Sequence, residues 1–206
     1  MDTLLRRRMM FTLLGGSPTP PTPLPYDAEI EYLQSTGSQY IDTLYTGNIN
    51  THIECRFFNS TYVNCLYGCI GNNTNDITCF TNPLGGVCRF GNKSYTVRMA
   101  DNVAHTVIQS KTAIVVDGTS YAFNTTASFT TPSTLFLFCV RMANLTPDYY
   151  WTGRLYYLQI SENGTFVRDL IPVRVGTVGY MYDRVSGQLF GNSGTGNFIL
   201  GNDKNS

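Results

Sequence analysis

The turns constrain this chain more than any other feature. Asp117-Gly118 sits between AIVV and TSYAF, Asn163-Gly164 between LQISE and TFVRDL, and Ser186-Gly187 between MYDRV and QLFGN. An Asx-Gly pair flanked by strand-like runs is the strongest short-range hairpin signal, because a type I′ turn needs positive φ at both central residues. The runs between turns are short and rich in β-branched and aromatic residues. They include EIEYL (29–33), QYIDT (39–43), HIECRFF (52–58), YVNCLYGCI (62–70), GVCRFG (86–91), SYTVRM (94–99) and HTVIQS (105–110). RLYYLQIS (154–161), TFVRDLIPVR (165–174), VGYMYDR (178–184), QLFGN (188–192) and NFILG (197–201) follow the same rule. These patterns predict strands, and none carries a capped helical stripe. Many short strands at even spacing make a two-sheet sandwich or a barrel. TLFLFCVRM (134–142) is apolar at nearly every early position, which places it as a central strand buried on both faces. The predicted fold class is all-β, a sandwich of two antiparallel sheets.

Composition narrows the function. Charged residues are 14% of the chain against 42% hydrophobic and 13% aromatic, and fourteen cations balance fourteen acids. There is enough apolar side chain to fill a core, which excludes a charged disordered chain. A nucleic-acid binder needs a basic excess that is missing here, so no nucleic-acid partner is expected. No run approaches the roughly 18 apolar residues of a membrane helix, and no membrane partner is expected. The 206 residues fit one domain plus extra segments.

The first 25 residues read differently. MDTLLRRRMMFTLL is followed by GGSPTPPTPLP, which holds Pro18, Pro20, Pro21, Pro23 and Pro25. Such proline density favours extended polyproline II, a semi-rigid spacer. Leu4, Leu5, Arg6, Arg7, Arg8, Met9, Met10 and Phe11 ahead of it have the make-up of an assembly anchor, apolar side chains to bury and arginines to pair with a partner. A secretory signal is the competing reading. Arg6 to Arg8 supply its basic start, but Met9 to Leu14 is shorter than the apolar stretch such signals use. The expected organisation is an arm and linker over 1–25, a sandwich over 26–201 and a tail over 202–206.

Candidate chemistry is sparse. Asp148-Tyr149-Tyr150-Trp151 holds the only Trp and follows Thr146-Pro147. Flat aromatic side chains on a loop can stack on a sugar ring while Asp148 accepts from its hydroxyls, so these four are the candidate carbohydrate-binding residues; packing or a subunit contact is the competing reading. Asp27, Glu29 and Glu31 alternate, which on a strand aligns them about 6.8 Å apart, near glycosidase carboxylate spacing. They open the domain beside the linker, and a solvated edge is the simpler reading. Gly71 to Asp76 is rich in oxygen side chains but has one charge and no calcium-loop spacing, so it reads as a turn cluster. The six cysteines, Cys55, Cys65, Cys69, Cys79, Cys88 and Cys139, include no C-x-x-C pair, and most lie in apolar strands as small hydrophobes. There is no G-x-S-x-G, and GNSGTGNF (191–198) has no helix behind it to hold a phosphate. No catalytic residue, metal or cofactor is expected, and the protein is expected not to be an enzyme.

EIEYLQSTGSQYIDT (29–43), VDG (116–118), GRLYYLQISENGTFVRDLIPVR (153–174) and VGYMYDRVSGQLFGNSGTGNF (178–198) together resemble the concanavalin A-like, or laminin G-like, jelly-roll domains of gut Bacteroidetes surface proteins and their bacteriophages. The resemblance spans about Tyr26 to Gly201, and the basic triplet with adjacent methionines is similar to phage virion N-termini. It implies a bacteriophage virion protein, such as a head fibre, that displays a carbohydrate-binding or adhesive module. Its partners would be capsid or fibre-base proteins held through residues 1–25, further copies of itself as a homotrimer or other homo-oligomer, and a glycan. A secreted bacterial surface lectin and a glycoside hydrolase of the same broad fold are the alternatives it leaves open.

Overall fold

The computed structural model describes residues 23–60 and 64–204. In chain order the strands are β1 (Ala28–Glu29), β2 (Leu33–Thr36), β3 (Ile41–Asn48), β4 (Thr51–Asn59), β5 (Asn64–Cys69), β6 (Asp76–Thr81), β7 (Gly86–Gly91), β8 (Lys93–Val97), β9 (Val103–Gln109) and β10 (Ala113–Val116). They continue as β11 (Thr119–Ala122), β12 (Thr130–Leu137), β13 (Val140–Arg141), β14 (Pro147–Asp148), β15 (Thr152–Glu162), β16 (Thr165–Val175), β17 (Val178–Asp183), β18 (Gln188–Phe190) and β19 (Ile199–Leu200). All regular structure among the described residues is strand.

The strands form two sheets packed as a jelly-roll sandwich. The larger runs β11-β10-β9-β4-β15-β16-β17-β18. β4 lines one edge of β15, while the other edge is shared, with β2 on Thr152–Leu155 and β16 on Leu158–Glu162. β1 pairs with the far end of β16, and β19 closes on β2. The second sheet runs β14-β13-β5-β6-β7-β8, with β12 joining β5 to β3. Pairing is antiparallel except at β13 beside β5 and at the Cys65–Tyr150 bridge.

The hairpin turns are as the sequence predicts. Asp117 and Gly118 have φ of 48° and 82°, and Asn163 and Gly164 have 49° and 82°, the double positive φ of a type I′ turn. Burial alternates along β3 and β4, whereas Leu135 to Val140 are all buried, as expected for a central segment. That run is not one strand, however. Phe138 takes φ 65° and ends β12, its amide donating to Leu66 O and its carbonyl accepting from the Trp151 amide, both at 2.7 Å. EIEYL also divides, between β16 and β15. β6 lies in a stretch, DITCFT, where sequence patterning marked no strand.

Between the sheets lies a core of Phe57, Tyr67, Phe90, Trp151, Leu158 and their neighbours. A polar clamp crosses it. Tyr67 Oη on β5 donates to Gln109 Oε1 on β9 at 2.8 Å, and Gln109 Nε2 donates to the carbonyls of Thr78 and Arg89 at 3.1 and 2.9 Å. Both amide hydrogens and the carbonyl oxygen of the buried Gln109 have a partner, so the clamp ties the sheets together at little cost.

The anchor residues Leu4 to Phe11, and the spacer as far as residue 22, lie outside the described residues. The chain joins the sandwich at Asp27, whose amide donates to Arg174 O at 2.9 Å. At the other end pairing runs past residue 201: Glu31 N donates to Asn202 O and Lys204 N to Glu29 O, at 2.9 and 2.8 Å.

Candidate functional site

The segment Asp148 to Trp151 follows a tight β13–β14 turn in which Asn144 Oδ1 accepts from the Thr146 amide and hydroxyl. Asp148 turns its carboxylate back to accept the Tyr149 amide at 2.7 Å. Tyr149 then takes φ 50°, a conformation that is strained for an aromatic residue and persists only where the surroundings impose it. Here they do: its carbonyl accepts from Cys65 N at 3.1 Å and the next carbonyl accepts from Asn64 Nδ2. The outcome is that the three aromatic side chains part company.

Trp151 goes inward, and this corrects its expected role as a sugar platform. It is 0% exposed. Its Nε1 donates to Thr81 Oγ1 at 2.9 Å and Asn59 Oδ1 at 3.1 Å, and its ring packs edge-on against Phe57 and tilted against Phe138. A Trp that can satisfy its N–H inside the core stays there, because its large apolar surface favours burial.

Tyr149 is 46% exposed and meets Phe80 edge-on at 5.4 Å. With Ile70, Val87 and Met142 they form a shallow apolar groove of about 290 Å³.

Tyr150 points to the other side, where it meets Tyr40 at 6.2 Å in a T-shaped pair. The two rings line a groove of about 440 Å³ whose wall carries Ser38, Ser193, Gly194 and Thr195. The glycine-rich loop at 191–198, a plain turn by sequence, builds this wall. It is laced to the β2–β3 connection by Ser193 N to Tyr40 O, Thr195 N to Ser38 O and Ser38 Oγ to Thr195 O, at 2.8 to 3.0 Å. A Cβ on Gly194 would stand 2.1 Å from Ser38 O, so only glycine allows this approach. Gln39 steadies the loop from beneath, accepting from Thr36 N and donating to Asn197 O. Burial, followed by Cys139 and Tyr40, raises the Tyr150 phenol above its ordinary range, so at neutral pH the groove offers a neutral hydroxyl. Two aromatic rings flanked by hydroxyls suit a sugar, which presents C–H faces and O–H edges. Asp148 is exposed beside Pro147 at the rim.

The remaining sequence candidates serve the fold. Asp27 accepts from Gly176 N at 2.6 Å, Glu29 from Tyr26 Oη at 3.3 Å, and Glu31 from Asn202. Asp27 and Glu29 line one recess of about 590 Å³ beside Arg174, Asp203 and Lys204, whereas Glu31 lines another, so the three do not share one cleft. Asp76 is buried and organises its loop, accepting from the Gly71 and Asn73 amides and pairing with Arg89 at 3.0 Å. Among the described residues no cluster of three or more His, Cys, Asp or Glu side chains is gathered to hold a metal. His105 is occupied by Asp117 at 2.6 Å and Ala100 O at 3.0 Å. All six cysteines are buried thiols; Cys79 and Cys88 face each other across β6 and β7 with sulfurs 3.7 Å apart.

Sequence reasoning named Tyr150 but missed Tyr40, Ser38 and Thr195. They lie more than 100 positions before it or more than 40 after it in the chain, and no local pattern links them. No protein-family model matches this chain, and no curated protein matches it.

Proposed function

We propose that this protein is a non-enzymatic display module that binds glycan through the Tyr40–Tyr150 groove and is held on a bacteriophage particle by residues 1–25. The observation that carries the binding half is the groove itself: two aromatic rings and a hydroxyl-bearing wall, pre-formed on a rigid sandwich end by a glycine-specific loop contact. The alternating acids Asp27, Glu29 and Glu31 each accept a hydrogen bond from a neighbouring strand or loop residue, which favours binding over cleavage. The virion setting and the anchor rest on the arginine-bearing apolar leader, its proline-rich spacer and the resemblance of the body to jelly-roll modules of phages and gut bacteria. Weak sugar contacts repeated on one particle, as in a trimer or other homo-oligomer, add up to high avidity.

The test is a panel of neutral oligosaccharides presented to the full chain and to Tyr150→Ala and Tyr40→Ala. The reading expects at least one glycan retained by the parent and lost by both variants. Binding that survives both substitutions refutes the groove. For the anchor, a chain lacking residues 1–25 should fold but fail to enter particles; its incorporation refutes the anchoring role, and release of the arm from a secreted parent, seen by intact mass, would favour the surface-lectin alternative.

A further inference from the structure

The outer face of the larger sheet carries a second recess. Arg56 lies between buried Cys55 and Phe57 on β4, so the alternation of the strand turns it away from the core. Arg154 and Tyr156 come from β15, and Tyr32 from just before β2. A bulge between Leu155 and Tyr157 lets both Tyr156 and Tyr157 line the same recess, which has a volume of about 470 Å³. Glu31 and Lys204 complete the rim.

The two arginines are held by aromatic rings and not by acids. The Arg154 guanidinium lies 4.6 Å from the Tyr32 centroid and 5.3 Å from that of Phe58; Arg56 lies 5.4 Å from that of Tyr156. Tyr32 and Tyr156 pack edge to face at 6.0 Å. Arg154 Nε donates to Gln34 at 2.9 Å, and among the described residues neither guanidinium has a carboxylate partner. Arg89, Arg141, Arg168, Arg174 and Arg184 all do. The neighbouring acids are turned to neutral donors, Glu54 to Tyr157 Oη and Glu31 to Asn202. Counted over its lining residues, the recess presents three cations against one carboxylate, with Glu54 a second acid bonded to the lining Tyr157.

We propose that this recess binds a carboxylate-bearing saccharide, a uronic or sialic acid residue. Its carboxylate accepts from Arg56 and Arg154, and its ring rests against Tyr32 and Tyr156. Stacking on a ring orients a guanidinium and partly desolvates it without neutralising it, which leaves its donors free for two-point recognition of a planar anion. Size favours a sugar over a protein. The volume falls in the range of small-ligand sites, roughly 300–1,000 Å³, whereas a stable protein contact needs about 800 Å² from each partner.

The experiment is calorimetric titration of the full chain with tetragalacturonate, its methyl ester, sialyllactose and lactose. One of the two acids should bind, and the one that does identifies the source of the carboxylate. Its neutral counterpart should bind at least about tenfold more weakly, as should the acid to Arg56→Gln, an exposed change that leaves the melting temperature in place. Arg154→Gln should weaken the same acid comparably. Equal affinity for acid and neutral form, no binding of either acid, or an unaltered Arg56→Gln overturns the assignment. So does a change in the sedimentation of Arg56→Gln with sugar binding intact, which would make the recess a protein contact. The Tyr40–Tyr150 groove is read separately with neutral glycans and Tyr150→Ala, so the two assignments fail independently.

Discussion

Replacing Trp151 by Phe separates a core residue from a sugar platform. The indole is 0% exposed and its N–H is shared between Thr81 and Asn59. Removing that bond costs about 1 kcal/mol net; the Asn59 oxygen retains the Thr81 hydroxyl at 3.2 Å, so it is not orphaned. The space left by the smaller ring adds on the order of 1 kcal/mol, because the Phe57 and Phe138 rings and the strands behind them relax only in part. The sum, about 2 kcal/mol, corresponds to a melting temperature lowered by roughly 4–8 °C for a domain of this size. Trp151→Ala should cost about 3–5 kcal/mol, a large share of total stability. Thermal unfolding followed by circular dichroism, with urea titration as the second measure, reads both. Glycan binding of the folded Phe variant should be unchanged. A Trp151→Phe protein with the parent's melting temperature but no glycan binding would refute the assignment of this residue to the core.

Further tests bear on the frame and the wall of the groove. Gln109→Leu leaves the Tyr67 hydroxyl buried without its acceptor and should cost about 1–3 kcal/mol; pairing it with Tyr67→Phe should recover part of that in a double-mutant cycle run by urea denaturation. Gly194→Ala places a methyl 2.1 Å from Ser38 O, so the loop must move, and retention on glycan resin should fall while the melting temperature drops only by an amount set by roughly 1–3 kcal/mol. Burial raises the thiols of Cys55, Cys65 and Cys139, while Cys79 is raised first by its hydrogen bond with Cys88 and then by burial. These four therefore stay protonated in the native protein at pH 8, and because all six cysteines are buried, Ellman's reagent should find none of them until denaturant is added. Because the folded values are the higher ones, stability is full below the unfolded thiol value of about 8.5 and declines as pH rises beyond it; a melting temperature that climbs between pH 8 and 10 contradicts this.

Much of the architecture was legible locally. The two Asx-Gly pairs demanded positive φ and received it, and alternation along β4 set which side chains face the core. β6 was missed because its first residue, Asp76, reads as the end of the polar turn cluster from Gly71, and Thr78 and Thr81 dilute its apolar pattern; the burial of nearly every position comes from the fold. The break at Phe138 was missed for the opposite reason: an unbroken apolar run hides a change of direction. For the binding segment, the aromatic residues stood out by type, but type does not fix direction. Tyr149, Tyr150 and Trp151 differ in where they point because Cys65 and Asn64 pin the backbone between them, and those partners belong to another strand. The outer-face arginines carried no signal at all, since a cation is visible in sequence whereas its lack of an acid neighbour is a property of space.

By itself, then, the order of residues determined what is governed by neighbours along the chain: an all-β chain, the type of its hairpins, and an N-terminal stretch whose composition differs from the body. Only the tertiary structure decided which aromatic side chains meet solvent and which arginines remain without a counter-charge. Burial and ion pairing depend on contacts between strands far apart in the chain, and a residue's solvation is set by whatever the fold brings to it.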